Sequence, residues 1–309
     1  MKGLELSEKY FKEYGLPMLE IKYPEYIGRI AAGLAGEGSE CYGYDDEISQ
    51  DHDFFPRFCI WLNDVDYAAI GEQMNEDYEA LPNEFMGFKK EGSNYHADGR
   101  QGVRRISDYY NAYTGCQAGP ESNAQWLRIP ENLLAGCTNG KIFIDNAGDF
   151  TRIREHILND MPEDVRKKKI AAALFTMAQA GQYNFPRSVK RGDAGAAHLA
   201  MNEFVKAAVR LCYLLSGRYC PYYKWMFRGL KDLKVMSFLY ETLLSLLDTP
   251  SKDFDKCIWI IEEICKMAIG ELKKQKLSFA LGDYLEPYAL GVQQSIEDPA
   301  VRAMHVSVG

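Results

Sequence analysis

Gly36-Glu-Gly-Ser-Glu-Cys-Tyr-Gly-Tyr-Asp-Asp-Glu-Ile-Ser-Gln-Asp-His-Asp53 is the stretch that decides the reading of this chain. The apolar run from Ile30 to Leu34 leads into it and reads as a strand, so Gly38-Ser39 follows as a loop. Glycine there lets the backbone approach an anion, while amide N–H groups and the Ser39 hydroxyl donate to it. Asp51 stands twelve residues after Ser39, and Asp53 follows at the start of the β-rich segment Phe54 to Leu62. On a strand, positions i and i+2 share a face, which sends both carboxylates one way and His52 the other. Two like charges this close are costly unless a cation shares them, and hard oxygen ligands favour Mg²⁺. In two-metal phosphoryl or nucleotidyl transfer such a pair clamps the attacking and leaving oxygens. An isolated Asp-x-Asp is commonly a solvated turn. The order strand, Gly-Ser, spacer, Asp-x-Asp, strand is what favours the metal site with Asp51 and Asp53 as ligands.

Composition narrows the classes around that motif. Of 309 residues, 47% are hydrophobic and 26% charged, the balance of a globular protein. No uncharged apolar run is long enough to cross a bilayer, and the N-terminus does not open a signal peptide, so a cytoplasmic protein is expected. Net charge is −8, which argues against a nucleic-acid partner. The eight cysteines form no Cys-x-x-Cys pair and read as reduced core residues. The five histidines are scattered, which makes a zinc enzyme improbable. A Gly-x-x-x-x-Gly-Lys-Ser/Thr loop is absent, which excludes a P-loop enzyme.

Periodicity divides the chain near residue 150. Before it, short helices (Leu6 to Tyr14, Glu25 to Ile30, Tyr67 to Leu81) mix with strands at Gly102 to Ser107 and at Lys141 to Asp145, the latter preceded by a hairpin turn at Asn139-Gly140. After it, helical spacing recurs at 151–159, 163–180, 196–216, 232–247, 253–274 and 282–296. In the third of these, Leu199, Phe204, Ala208, Leu211 and Leu215 are expected on one face, with Asp193 as N-cap and Gly217 at the C-terminal cap. The expected fold is α+β: a small mixed-sheet domain over residues 1–150 and a helical bundle over 151–309. Arg166-Lys-Lys-Lys169 reads as the wet face of a helix, and Asp45-Asp-Glu47 as a solvated loop.

The arrangement Gly-Ser, eleven residues, Asp-x-Asp resembles the signature of the polymerase-β-like nucleotidyltransferase superfamily. The whole chain is similar to a branch of it known as domains of unknown function, through Gly36, Gly38, Ser39, Glu40, Gly43, Asp45, Asp46, Ser49, Asp51, His52 and Asp53. Downstream the likeness continues in Asp145, Gly148, Thr151-Arg-Ile-Arg154, Pro162-Glu-Asp-Val165, Arg191-Gly-Asp193, Arg210-Leu-Cys-Tyr213 and Arg218-Tyr-Cys-Pro-Tyr-Tyr-Lys-Trp225. The resemblance implies an α/β head and a helical tail like those of the antibiotic nucleotidyltransferases. It implies Gly38 and Ser39 on the triphosphate of an NTP, with Mg²⁺ on Asp51 and Asp53; the branch supplies no substrate, and ATP as the NTP with a small-molecule hydroxyl as acceptor is the favoured expectation. The superfamily adds a third carboxylate on a later strand. The strand expected at Gly102 to Ser107 carries Arg104 and Arg105 instead, which leaves Asp145 as the catalytic candidate and Asp108 as its rival; each also reads as a cap or turn residue. Phe55 stands where a smaller residue is expected, narrowing the site or filling core. Lys224 is placed to reach a nucleotide phosphate and Tyr219 to stack on the base, against a plain surface lysine beside Trp225. Arg210 reads as a structural ion paired with Asp193 or Glu203. Two rivals to the transferase remain: a nucleotide-binding protein without turnover, and a toxin-like enzyme acting on tRNA or protein.

Overall fold

The computed structural model describes residues 1–51, 54–90, 98–249 and 253–309, with the backbone alone at 50, 51 and 98. Two compact units emerge, one of residues 1–120 and 133–160, the other of residues 121–132 and 161–309. The division is therefore not the contiguous one at 150: it falls at 160, and residues 121–132 join the second unit.

In the first unit, α1 (Gly3–Tyr10) passes through a π-helical turn at Phe11–Gly15 into α2 (Leu16–Lys22). Then come β1 (Ala31–Leu34), β2 (Cys59–Leu62), α3 (Asp64–Glu79), the pair β3 (Glu84–Phe85) and β4 (Phe88–Lys89), β5 (Gly102–Arg105) and α4 (Ile106–Thr114). β6 (Lys141–Asp145) and α7 (Asp149–Asn159) complete it; between α4 and β6 the chain forms α5 (Asn123–Arg128), a helix of the second unit, and α6 (Glu131–Thr138), whose first two residues belong there too. The main sheet runs β5-β2-β1-β6 and is mixed: β1 is antiparallel to β2 and β6, whereas β2 and β5 are parallel.

β1 and β2 are buried at every position, as strands covered on both faces must be. Phe58, Ile60 and Leu62 alternate onto the side packed by Phe11, Leu19 and Met74. Trp61 faces the other way and stacks on Phe150 with ring centroids 4.2 Å apart. Three local expectations fail here. The strand expected over Phe54 to Leu62 begins only at Cys59, and the helix expected at Glu25 to Ile30 is a single 3₁₀ turn, Ile27–Arg29. Asn139-Gly140 joins α6 to β6 and is not a hairpin turn, because β6 pairs with β1 from more than a hundred residues upstream. The chain's tight hairpin is instead β3–β4, whose turn residues Met86 and Gly87 both have positive φ.

The second unit contributes only helices among its described residues: α5, α8 (Glu163–Met177), α9 (Phe185–Lys190), α10 (Ala194–Leu215), α11 (Tyr223–Leu230), α12 (Leu239–Asp248), α13 (Phe254–Lys274), α14 (Leu285–Gln294) and α15 (Pro299–Ala303). The caps of α10 are those the sequence announces. The Asp193 side chain accepts from the Ala196 amide at 2.9 Å, and Gly217 takes the left-handed conformation past the last turn. Phe204, Ala208, Leu211 and Leu215 are buried as expected, but Leu199 is 71% exposed, on the opposite side of the helix start from the buried Ala197 and Met201. No helix among the described residues is long and apolar enough to cross a membrane.

α8 packs against α10 on one side and α14 on another, so it is buried nearly all round. This overturns the wet-face reading of Arg166 to Lys169. Lys168 and Lys169 are 0% and 1% exposed. The Lys168 ammonium is wrapped by neutral acceptors, donating to Gln293 Oε1 at 2.8 Å, the Met304 carbonyl at 3.3 Å and the His305 carbonyl at 2.7 Å. With no carboxylate beside it, burial pushes its pKa down from 10.5 to about 8. Between those values the native protein has lost a proton that the unfolded chain still holds, so rising pH favours folding at this site. Wild type should therefore gain roughly 1–3 kcal/mol relative to Lys168→Met between about pH 7 and pH 10. Urea unfolding of both proteins at the two pH values checks this; a constant difference would contradict it.

Candidate functional site

β1 delivers the Gly-Ser loop to a defined sheet edge. Its register places Gly33 opposite Cys59 and Leu34 opposite Lys141, while Cys59 lies beside Gly102. The C-terminal end of β1 and the N-terminal ends of β2, β5 and β6 thus lie together. Residues 36–39, 54–58, Arg100 and Asn139 all flank this edge. Gly36 has φ +128°, a conformation that side chains rarely adopt, and its amide donates to Asn139 Oδ1 at 2.9 Å. Asn139, which the sequence flags only as a turn residue, is the clamp of the loop.

Glu40 is the centre of the edge. Its buried Oε1 accepts from Arg57 Nη2 at 2.7 Å and from Arg100 Nη1 at 2.8 Å. The Arg57 guanidinium, 2% exposed, lies 4.7 Å over the Phe55 ring, and its buried Nη1 has no hydrogen-bond partner among the described residues. Phe55 is therefore core that supports an arginine. A Cβ built on Gly38 would stand 2.1 Å from Arg100 Nη1 and 2.3 Å from Glu40 Oε2. Gly38 is required because an ion pair fills that space, not because the space is open. Ser39 begins the 3₁₀ turn Glu40–Tyr42, and its half-buried hydroxyl makes no capping hydrogen bond. Burial pushes the Cys41 and Cys59 thiols up, which removes both as nucleophiles at neutral pH.

The acidic residues fall into three sets. Asp45 is buried and accepts from the Gly3 amide at 2.7 Å, fixing the start of α1; Asp46 accepts from the Ser49 amide and hydroxyl at 3.1 Å each. The loop Asp45 to Glu47 is thus only partly solvated. Asp51 ends a 3₁₀ turn, Ile48–Asp51, where a strand was expected. Its side chain, His52 and Asp53 lie outside the described residues. Among the described residues no group of three His, Cys, Asp or Glu side chains converges as a metal site. Asp145 lies opposite Ala31, at the far end of β1 from Gly38 and Ser39, a separation of roughly 10 Å along the strand. It accepts from the Thr151 amide at 2.7 Å and fixes the turn into α7. Arg104 and Arg105 leave the same far end beside Trp61 and Leu62, and Asp108 follows them on α4. None of these four joins the Gly-Ser edge.

In the second unit, Lys224 lies 4.9 Å over the Trp225 ring in the first turn of α11, the surface arrangement weighed against a phosphate ligand. Tyr219 is half-buried in the connection between α10 and α11. Arg210 is structural, but its partner is neither Asp193 nor Glu203. It forks onto Glu131, Nη2 to Oε1 at 2.7 Å and Nε to Oε2 at 3.2 Å, and Lys169 stands 3.3 Å from the same Oε1. Burial works to raise the Glu131 carboxyl, but Lys169 and Arg210 outweigh it and hold the group below its ordinary range.

Residues 126–226 match the model of a family described as a domain of unknown function, DUF4037. That is the segment holding Glu131, Lys169 and Arg210. Among solved structures, the chain is similar to the crystal structure of a nucleotidyltransferase-like protein from Exiguobacterium sibiricum 255-15. The two are 14% identical over 92% of this chain and 81% of that one, with a TM-score of 0.40. No curated protein matches. Neither match names the antibiotic nucleotidyltransferases, and the α+β class stands on the sheet and helices themselves.

Glu40→Gln should cost about 3 kcal/mol, because it leaves Arg57 buried beside a neutral amide. Chemical denaturation reads the loss, and a change under about 1 kcal/mol would show that the pair is not what holds the edge.

Proposed function

We propose that this protein is a Mg²⁺-dependent nucleotidyltransferase that moves a nucleoside monophosphate from an NTP, ATP first, to a hydroxyl of a small-molecule acceptor. One observation carries the reading. The Gly36–Ser39 loop leaves β1 at the edge where β2 begins, and the chain entering β2 has just passed Asp51 and Asp53. Two carboxylates suit a hard cation, so these residues would hold Mg²⁺, which neutralises charge on the attacking and leaving oxygens. The unpartnered Arg57 Nη1 fits an anion at the same edge. The Ser39 hydroxyl, free of any cap, would donate to a phosphate oxygen. Glu40 would act as a positioning residue, holding Arg57 and Arg100 at the loop. The acceptor oxygen then bonds to the α-phosphorus, the bond to the β-phosphate oxygen breaks, and pyrophosphate leaves.

A second reading, nucleotide binding without turnover, is favoured by one feature. Neither Asp145 nor Asp108 reaches the edge, and Glu40 is spent on two arginines.

Melting curves with and without Mg²⁺–ATP, together with pyrophosphate release, separate the readings. Wild type should be stabilised by Mg²⁺–ATP and should release pyrophosphate with a suitable acceptor. Asp53→Asn should lose the stabilisation and at least roughly a hundredfold in rate. Stabilisation of wild type with no pyrophosphate across a panel of hydroxyl acceptors selects the binding reading. An Asn variant that melts lower yet responds to Mg²⁺–ATP like wild type defeats the metal site.

A further inference from the structure

We infer that the helical unit carries its own binding pocket for a small organic anion bearing a ring, a carboxylate or a phosphate ester. A cleft of about 370 Å³ opens between the start of α6, α10 and the start of α11. That volume is at the lower end of ordinary ligand sites. Three independent features of its lining point to one kind of ligand.

The first is charge. Glu131, on the lining, meets two cations, Arg210 and Lys169, within hydrogen-bonding reach, so one buried negative charge answers two positive ones. Arg210 spends Nε and Nη2 on Glu131, and its Nη1 makes no hydrogen bond among the described residues. Glu203 and Lys206, also on the lining, pair with each other at 3.1 Å and cancel. The formal charges of Glu131, Arg210 and Lys169 therefore sum to one positive, with Lys169 buried behind the lining and Arg210 on it.

The second is a helix end. α11 begins at Tyr223 on the lining, and its N-cap, Tyr222, supplies no side-chain cap. First-turn amides and the positive end of the helix therefore favour an anion there. The third is aromatic surface. Tyr222 and Tyr223 are 54% and 66% exposed, with ring centroids 4.4 Å apart and planes tilted by 52°, so each offers aromatic surface against which a ring can pack. The Cys220-Pro-Tyr-Tyr223 segment therefore serves as the wall of this pocket. Every lining residue falls between 131 and 226, inside the segment matched by the family model.

The pocket does not depend on nucleotidyl transfer, so Asp53→Asn should bind its ligands as wild type does. The probes are phenyl phosphate, benzoate and benzyl alcohol, read by ¹³C-methyl NMR at Met226, which lines the cleft. Phenyl phosphate or benzoate should shift the Met226 methyl saturably, at least about tenfold more tightly than benzyl alcohol. The tighter of the two anions names the head group. Tyr223→Ala, a surface change, should weaken both anions. Arg210→Lys keeps a cation opposite Glu131 but removes the fork, and should weaken the anions while leaving benzyl alcohol alone. If that variant does not fold, Tyr223→Ala decides. Equal binding of all three probes, no shift with either anion, or unchanged affinity in Tyr223→Ala would overturn the proposal.

Discussion

Burying a carboxylate obliges the fold to bring cations to it, and Glu40 shows how much structure that obligation organises. Its two arginines come from 17 and 60 residues away in sequence. Meeting them ties the loop after β1, the lead into β2 and the lead into β5 to one point. Removing one partner of a buried pair is far more damaging than the pair is stabilising, so the three segments are held in common. Gly38 follows from the same constraint: where a carboxylate and a guanidinium occupy the position of its Cβ, only glycine fits.

The helical unit repeats the device with the same count of signs, one carboxylate to two cations. Glu131 answers two cations from α8 and α10, and Lys168, one residue from Lys169, is met by neutral carbonyls alone. Such centres add little net stability beside an apolar core. What they add is specificity of arrangement and, at Glu131, a positive residue of charge beside a cleft. Charge is thus concentrated at two places, a sheet edge in one unit and a helix junction in the other. At the first, a buried arginine N–H has no partner among the described residues; at the second, Arg210 has one N–H to spare.

Much of the architecture was legible because it is local. α7, α8, α10, α12, α13 and α14 follow the apolar spacing, while the short α9, α11 and α15 were not announced by it; the caps of α10 follow Asp193 and Gly217, and β6 has the bounds its alternating run announces. Of the Gly36 to Asp53 motif, the Gly-Ser part does follow a buried strand, as its place after Ile30 to Leu34 announces. What it concealed was the role of Glu40, which the motif contains, and of Arg57 and Arg100, which it does not. No spacing rule connects Glu40 to Arg100, since only the parallel pairing of β5 with β2 brings them together.

The amino-acid sequence by itself determined the α+β class, the change to helices in the second half and the place of the Gly-Ser loop, because periodicity, caps and glycines act within a few residues. Tertiary structure alone decided which charges are buried. Arg166 to Lys169 looks like a solvated run until α10 and α14 close over α8. Asp145 looks like a third carboxylate until the antiparallel register of β6 carries it to the far end of β1. Burial and register are properties of neighbours distant in the chain, and no local pattern records them.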